Sequence, residues 1–556
     1  MVRSFFVPVI LKNAMNKFLM TSLLLSALPA VDAVATEQPK LIVQITVDQL
    51  RGDLLKRYAD HFVASGKSKG FKRFLDDGTL YTNAHYRHAT TLTAVGHATL
   101  ATGAIPSQHG LVSNDWYDRS TGKSMYCVAD ASNTLLGAKG YSSSAANLLA
   151  STFSDELFQA TNGQAKIYAV SIKDRGAVLT GGHHGKAFWF DKKTGNMVTS
   201  TYYYPELPAF AEQFNQSDAK DAYLGASWSL SLKESQYHND ASNRPYQMPP
   251  KGFNLGFPHG MPADASATYY DMLTYTPYGD ELTAKFAQHV VETQQLGADD
   301  ITDYLSISFS VNDYVGHRFG PYSLEAEDNL VRLDKTLANL FSYLDKKIGL
   351  EHVLIALSAD HGVDAIPEYK ALRGSPALRA KAVEDINAAA LSVAADLGIK
   401  GELIEKIALP DIYLNYSTIT ASTSSIETVA QKLAEKVAQV NGVALALTAK
   451  ELTEQNLQYD PIKAKVQNSY VASRAGDVVV VQKRSTMLQS YSAATHGSPY
   501  NYDTYVPLYF TGWKVKAKEY TRPVSPEDLA VTLSAVLGIT QPDRATGQVL
   551  NEIVIR

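Results

Sequence analysis

Three short apolar runs constrain this chain more than anything else in it. LIVQITV (41–47), YLSISFS (304–310) and HVLIALS (352–358) are rich in β-branched residues, and they lead into Asp48, Asp313 and the pair Asp360-His361. Runs of this length and composition read as buried strands, and KIYAVSI (166–172) reads as another. Helical stretches lie between them. From Ser323 to Leu344, the residues Leu330, Leu333, Leu337, Leu340 and Leu344 share one face, and Ser525-Pro526-Glu527-Asp528 opens a helix that Gly538 closes. Strands alternating with helices predict an α/β fold, a mainly parallel sheet with helices on both faces. In such a sheet the loops at the carboxyl ends of the strands are where sites assemble. Carboxylates and imidazoles delivered there from several strands converge on one crevice.

With 556 residues the chain has room for one large domain with insertions, or for two or three domains. We assign 36–186, 286–364 and 491–556 to the core. Residues 187–285 are rich in Tyr, Pro, Asn and Gly and are expected to be an insertion folding over the site. Residues 365–490 are expected to form a small inserted α/β cap, in which DIYLNY precedes a helix starting at Ser424, with Glu427 at capping-box spacing. The apolar face of that helix is Ile426, Val429, Leu433, Val437 and Val440, ending at Asn441-Gly442.

The first 35 residues read as a signal peptide: Arg3, Lys12 and Lys17, an apolar stretch from Phe18 to Val31, then Ala33-Val34-Ala35 before Thr36. Met15 begins a more compact version of the same signal. The apolar run is too short for a comfortable membrane span, so no anchor is expected after cleavage. Cys127 is the only cysteine, which excludes an intramolecular disulfide and fits a bacterial periplasm better than an animal extracellular space. Net charge is −5, and −7 without the first 35 residues, which argues against nucleic acid or an anionic membrane as partner.

Six dispersed residues form the candidate metal set: Asp48, Asp313, His317, Asp360, His361 and His496. Asp313 and His317 are four apart and share a helical face. His496 stands before a Gly-Ser-Pro turn as a loop ligand, and Asp48, Asp360 and His361 make a second set. Each set offers three N and O ligands with a position left open, the arrangement of a catalytic zinc. Calcium and magnesium prefer oxygen alone, so three histidines point to two Zn2+ per chain. His85, His88 and His109 are read as polar supports, His183 and His184 as residues of a Gly-rich turn, and Cys127 as a buried spectator.

A further signal is HATTLTAVGHATLATGAIPSQHGLVSNDW (88–116), a Thr-rich loop entering a short helix that ends at Gly103. Thr93, four residues before His97, resembles the nucleophile of the alkaline phosphatase superfamily in its nucleotide pyrophosphatase/phosphodiesterase branch. Thr90 and Thr91 lack that spacing, and the ligand order along the chain resembles the same branch. The resemblance implies that Asp313, His317 and His496 hold one zinc, and that Asp48, Asp360, His361 and Thr93 hold the other. It also implies a phosphothreonine intermediate. Asn114 of SNDW, with Lys173 and Arg175 in SIKDR, is similar to the phosphate clamp of PafA-like alkaline phosphatases. A monoester presents three free oxygens and two charges to such a clamp, and a diester presents less of both. The expected protein is therefore a monomeric, periplasmic di-zinc phosphatase of phosphate monoesters, with broad tolerance of the alcohol. The rival on the same scaffold is a phosphodiesterase or nucleotide pyrophosphatase. A non-catalytic zinc- or phosphate-binding protein leaves the nucleophile motif unexplained, and the C/S-x-P-x-R motif of sulfatases is absent around Thr93.

Overall fold

The computed structural model describes residues 38–63, 69–239, 244–489 and 491–554. The expected signal peptide lies outside them. The centre is a ten-stranded sheet whose strands, along the chain, are β1 (Leu41–Val47), β2 (Thr79–His85), β3 (Leu135–Leu136), β4 (Ile167–Ser171) and β5 (Lys186–Phe190), followed by β6 (Met197–Ser200), β7 (Asp303–Phe309), β8 (Val353–Ser358), β9 (Tyr505–Gly512) and β10 (Lys518–Tyr520). Their spatial order is β10-β2-β9-β8-β1-β7-β4-β5-β6-β3. The run β8-β1-β7-β4-β5 is parallel throughout. β9 is antiparallel to both its neighbours, because the chain enters it from the end of the sheet where the parallel strands finish.

Every residue of β1 is buried. Leu41, Val43, Ile45 and Val47 point to one side, into a core with Val353, Ile355 and Leu357 of β8 and the leucine stripe of the helix Leu324–Lys347. Ile42 points to the other side, where Leu354 and Ala356 meet Leu529 and Leu533 of the helix Asp528–Leu537. Burying each such side chain stabilises the fold by about 1.5–3 kcal/mol, which is why runs apolar on both faces take the middle of the sheet. Register does the rest. Leu41 is level with Asp303 and with Val353, so β1, β7 and β8 finish together and release Asp48, the segment carrying Asp313, and Asp360 at one edge.

Two boundaries differ from the sequence reading. The expected insertion begins at 187, yet β5 and β6 extend the main sheet, and Pro277–Gln294 is a helix whose Phe286, Val290 and Val291 enter the main core. The aromatic residues of KAFWF supply a buried inner strand where composition alone suggests an insertion. In 365–490 the helix spans Ile426–Val437, and its cap is the Ser425 hydroxyl accepting from Thr428 N, one residue later than expected and without Glu427. That helix packs with Ala382–Leu397 over a four-stranded antiparallel sheet, sharing a core of Ile386, Val393, Ile412, Leu433 and Val478.

Candidate metal centre and active site

Three helices start at the rim where the parallel strands end: α1 (Thr93–Thr102), α2 (Asp174–Gly181) after β4, and α3 (Val311–Phe319) after β7. Asp48 follows β1, Asp360 and His361 follow β8, and His496 comes from the loop leading to β9. All six expected ligands meet there. Asp48, Asp360 and His361 present donor atoms within 4.8 Å of one another, and so do Asp313, His361 and His496. His317 Nε2 is 3.2 Å from Asp313 Oδ1. The two groups are thus continuous, with the His361 and His496 rings stacked 3.5 Å apart between centroids.

The three imidazoles are oriented alike. His317 Nδ1 is 2.8 Å from Ala494 O, His361 Nδ1 is 3.0 Å from Gly362 O, and His496 Nδ1 is 2.7 Å from Thr91 O. A carbonyl can only accept, so each Nδ1 carries a proton and each Nε2 is the ring nitrogen left facing the carboxylates, the orientation of a metal-binding histidine. His361 Nε2 is 3.5 Å from Asp48 Oδ1 and 3.4 Å from Asp360 Oδ2, and none of these three buried atoms has a hydrogen-bond partner. Burial pushes the His361 imidazole down to about 3 and also lowers that of His496, which keeps both rings in the neutral form that binds metal.

Three carboxylates here face one ammonium. Lys173 Nζ donates to Asp48 Oδ2 at 2.6 Å and to Asp313 Oδ2 at 2.5 Å. Burial, joined by repulsion from Asp360, raises the Asp48 carboxyl well above its ordinary value. Burial opposes ionisation of Asp313 too, but His317 and Lys173 outweigh it and hold that carboxyl low. A buried excess of negative charge is relieved either by protonation or by cations.

Thr93 is the first residue of α1 and 1% exposed. Leu92 occupies the cap position and no side chain caps that end, so Thr93 is not an N-cap. Among the described residues its hydroxyl makes no hydrogen bond, whereas the Thr91 hydroxyl donates to Ser498 O at 2.9 Å. The four-residue spacing to His97 has a structural purpose. His97 Nδ1 reaches Thr93 O at 2.9 Å and its Nε2 reaches Ser308 Oγ at 2.8 Å, tying the first turn of α1 to the end of β7. Gly96 allows the close approach, since a Cβ there would sit 2.0 Å from Asp360 O. Asn114 Oδ1 accepts from Ala94 N at 2.9 Å, which leaves its amide NH2 as a donor at the same helix end. Arg175 donates to Tyr126 Oη at 3.1 Å while its buried Nε has no partner. It lines a cavity of about 260 Å³ with Lys173, Tyr126, Lys192 and Tyr314.

Sequence reasoning missed two positioning residues. Gln49 adopts φ +65, donates its backbone N to Asp360 Oδ1 at 3.0 Å and its amide to Asp313 Oδ1 at 2.7 Å. Asn312 donates to Asp48 O at 2.8 Å. Their only trace in the sequence is adjacency to ligands. Of the histidines read as supports, His85 and His109 make hydrogen bonds to Thr504 and Thr99. His88 does not fit that reading: it is fully buried, both ring nitrogens lack partners, and it packs on Tyr86 instead. His183 bonds Asp155, His184 stacks on Phe158, and Cys127 is buried and free.

A sheet with this order, and a buried imidazole–carboxylate centre at the ends of its parallel strands, defines a class of metal-dependent hydrolases. Residues 42–513 match the type I phosphodiesterase / nucleotide pyrophosphatase family, and the chain belongs to that family. Alkaline phosphatase PafA of Elizabethkingia meningoseptica is 34% identical over 530 residues, covering 94% of this chain and 96% of that protein. Alkaline phosphatase PhoV of Synechococcus elongatus is 33% identical over 95% of both. The crystal structure of wild-type PafA superposes with a TM-score of 0.86 at 34% identity, covering 94% of this chain and all of that one. A PafA variant in which a threonine, an asparagine, a lysine and an arginine are replaced superposes with a TM-score of 0.87.

Proposed function

We propose that this enzyme is an exported alkaline phosphatase that hydrolyses phosphate monoesters through a phosphothreonine at Thr93, with two zinc ions held by Asp48, Asp360 and His361 and by Asp313, His317 and His496. One observation carries the reading: three imidazoles, two of them buried and each with Nδ1 committed to a backbone carbonyl, aim their Nε2 atoms at three buried carboxylates. The unpartnered Asp48 Oδ1, Asp360 Oδ2 and His361 Nε2 are the donor set such a cation requires. Zinc bound there supplies Lewis-acid charge that lowers the pKa of the Thr93 hydroxyl and offsets charge on the phosphoryl oxygens.

The protein's own groups do the rest. Thr93 Oγ1 forms a bond to phosphorus, and the bond from phosphorus to the alcohol oxygen breaks with its electron pair leaving on that oxygen. Water then hydrolyses the phosphothreonine, restoring the threonine and releasing inorganic phosphate. The N-terminus of α1 favours the anion, and Asn114 offers an amide donor beside it. Lys173 is the ammonium that faces Asp48 and Asp313, and with those carboxylates otherwise neutralised it turns to a phosphoryl oxygen. Arg175 adds a fork of donors. The PafA variant supports the same four residues. Its replaced threonine and asparagine are as far apart as Thr93 and Asn114, and its lysine and arginine as far apart as Lys173 and Arg175.

The leader read over 1–35 supports export to the periplasm, and among the described residues no helix is long and apolar enough to cross a membrane. A diesterase on this scaffold is the second reading, favoured by the family match. Rates on a phenyl phosphate monoester and diester, measured with metal content, separate the two. A diester kcat/KM exceeding the monoester value overturns the proposal.

A further inference from the structure

A second imidazole–carboxylate cluster lies outside the centre and plays no part in the chemistry above. It joins Asp60 and His61, in the short turn Ala59–His61, to His238 in the strap that crosses the first turn of the helix Leu324–Lys347. His238 Nε2 is 3.0 and 3.1 Å from the two Asp60 oxygens. His61 Nε2 is 2.9 Å from Oε1 of the fully buried Glu327. The same carboxylate accepts from the backbone N of His238 at 2.8 Å and of Asn239 at 2.9 Å, so it locks ring and strap together.

Glu327 fixes the tautomer of His61. A carboxylate facing Nε2 holds the proton there and leaves a lone pair on Nδ1, as carboxylates behind metal-bound histidines do. That Nδ1 is 3.9 Å from Asp60 Oδ2, too far for a hydrogen bond, and among the described residues it makes none although the side chain is only 6% exposed. Hydrogen bonds to Glu327 and Asp60 fix the His61 and His238 rings, and they leave His61 Nδ1 turned toward Asp60 with its lone pair unused among the described residues. A shared cation engages all three residues. Ligands about 2.0–2.2 Å from one tetrahedral ion stand roughly 3.3–3.5 Å apart, and one donor atom from each of these residues falls within 4.8 Å of the others.

From this we infer that Asp60, His61 and His238 bind a peripheral zinc ion. Two imidazoles and one carboxylate suit zinc and disfavour calcium and magnesium. Asp60 is 63% exposed and His238 38% exposed, so water completes the coordination and the ion exchanges more readily than one in the buried centre. It clips the strap to the turn after β1, and so stabilises the folded state by mass action.

The test uses the full-length enzyme, equilibrated with excess Zn2+ and passed through a desalting column at controlled free zinc. The parent should retain about one more equivalent of zinc than an Asp60→Asn, His238→Ala double variant. It should also show a saturable rise in Tm with zinc that the double variant lacks, while monoester kcat/KM in the two stays within about twofold. Asp60→Asn alone keeps size and hydrogen bonding, and should already lose the extra equivalent. Equal zinc content in parent and variants, with identical Tm responses, overturns the inference. A metal difference in a protein without phosphatase activity leaves this site standing and removes the proposed function instead.

Discussion

The two clusters are built from the same residue types and differ in what surrounds them. In the catalytic centre Asp48, Asp360 and His361 are 0% exposed, and their donor atoms come from the ends of two adjacent strands whose register is fixed by two hydrophobic cores. In the peripheral cluster two of three ligands are exposed, and a turn and a strap supply them. The centre also has many supports: three carbonyls behind the imidazoles, Gln49 behind two carboxylates, Asn312 on the backbone carbonyl of Asp48, His97 and Gly96 beneath the nucleophile. Among the described residues the periphery has one carboxylate behind it, Glu327. Burial makes a charge costly without a cation and correspondingly effective with one. The buried cluster is therefore suited to chemistry, and the exposed one to holding chain segments together.

The largest contrast is expected from the matched pair Asp360→Asn and Asp60→Asn. The first removes a buried ligand and should lower monoester kcat/KM by more than about 10³-fold with loss of bound zinc. The second should leave turnover unchanged. Steady-state kinetics with metal analysis read both, and full activity in Asp360→Asn would remove Asp360 from the centre. Thr93→Ala comes next. It should abolish turnover to a comparable extent while metal content and Tm stay near the parent's, because the hydroxyl makes no hydrogen bond among the described residues. A loss under tenfold, with Thr91→Ala more damaging, would place the nucleophile elsewhere.

Replacing Lys173 and Arg175 together by Ala should act on one reaction more than on another. Each charge-assisted contact to phosphate contributes about 1.5–3 kcal/mol, or roughly one to two powers of ten in rate. The monoester carries the extra oxygen and charge, so the ratio of monoesterase to diesterase kcat/KM should fall. Lys173 complicates the design, since its Nζ also touches Asp48 and Asp313. Zinc content must therefore be measured beside the rates. Equal loss of both activities at full zinc occupancy would make the pair general anion binders and move the diesterase reading ahead.

The parts legible in the sequence are those with strong local signals. β1 and β8 run over the expected residues because apolar residues on both faces admit only a central position, and α/β alternation carries the architecture. The ligand types and their order along the chain could also be read, since Asp and His just past strands have few other ways to converge. What could not be read depends on partners distant in sequence. Nothing in Asp-Gln-Leu signals that Gln49 turns through φ +65 to reach two carboxylates carried by β8 and α3. Nothing around Lys186–Phe190 says that a Tyr- and Pro-rich neighbourhood adds strands to the main sheet. Asp60 and His61 are separated from His238 by most of the first half of the core, and no spacing rule links them.

The finest comparison sets one support against its counterpart. Gln49 stands behind Asp313 and Asp360 as Glu327 stands behind His61. Removing such an outer group costs about 10–100-fold in metal affinity or activity. Gln49→Ala should therefore lower activity at limiting zinc and recover most of it in excess zinc, because the ligands remain but are no longer held. Glu327→Gln should leave monoester kcat/KM unchanged at every zinc concentration. An amide keeps one accepting oxygen for His238 N, but it turns an NH2 toward Asn239 N and lacks the charge that fixes the proton on His61 Nε2. Its effects should be a weaker peripheral zinc, by about tenfold, and a Tm lower by a few degrees, since a weakened buried hydrogen bond costs about 1–3 kcal/mol. Zinc titration followed by Tm and by rate reads the two variants side by side. If Glu327→Gln reduced turnover in the manner of Gln49→Ala, the clusters would be coupled through the helix Leu324–Lys347 and α3. The exposed one would then be a regulator of the buried one, not an independent clip.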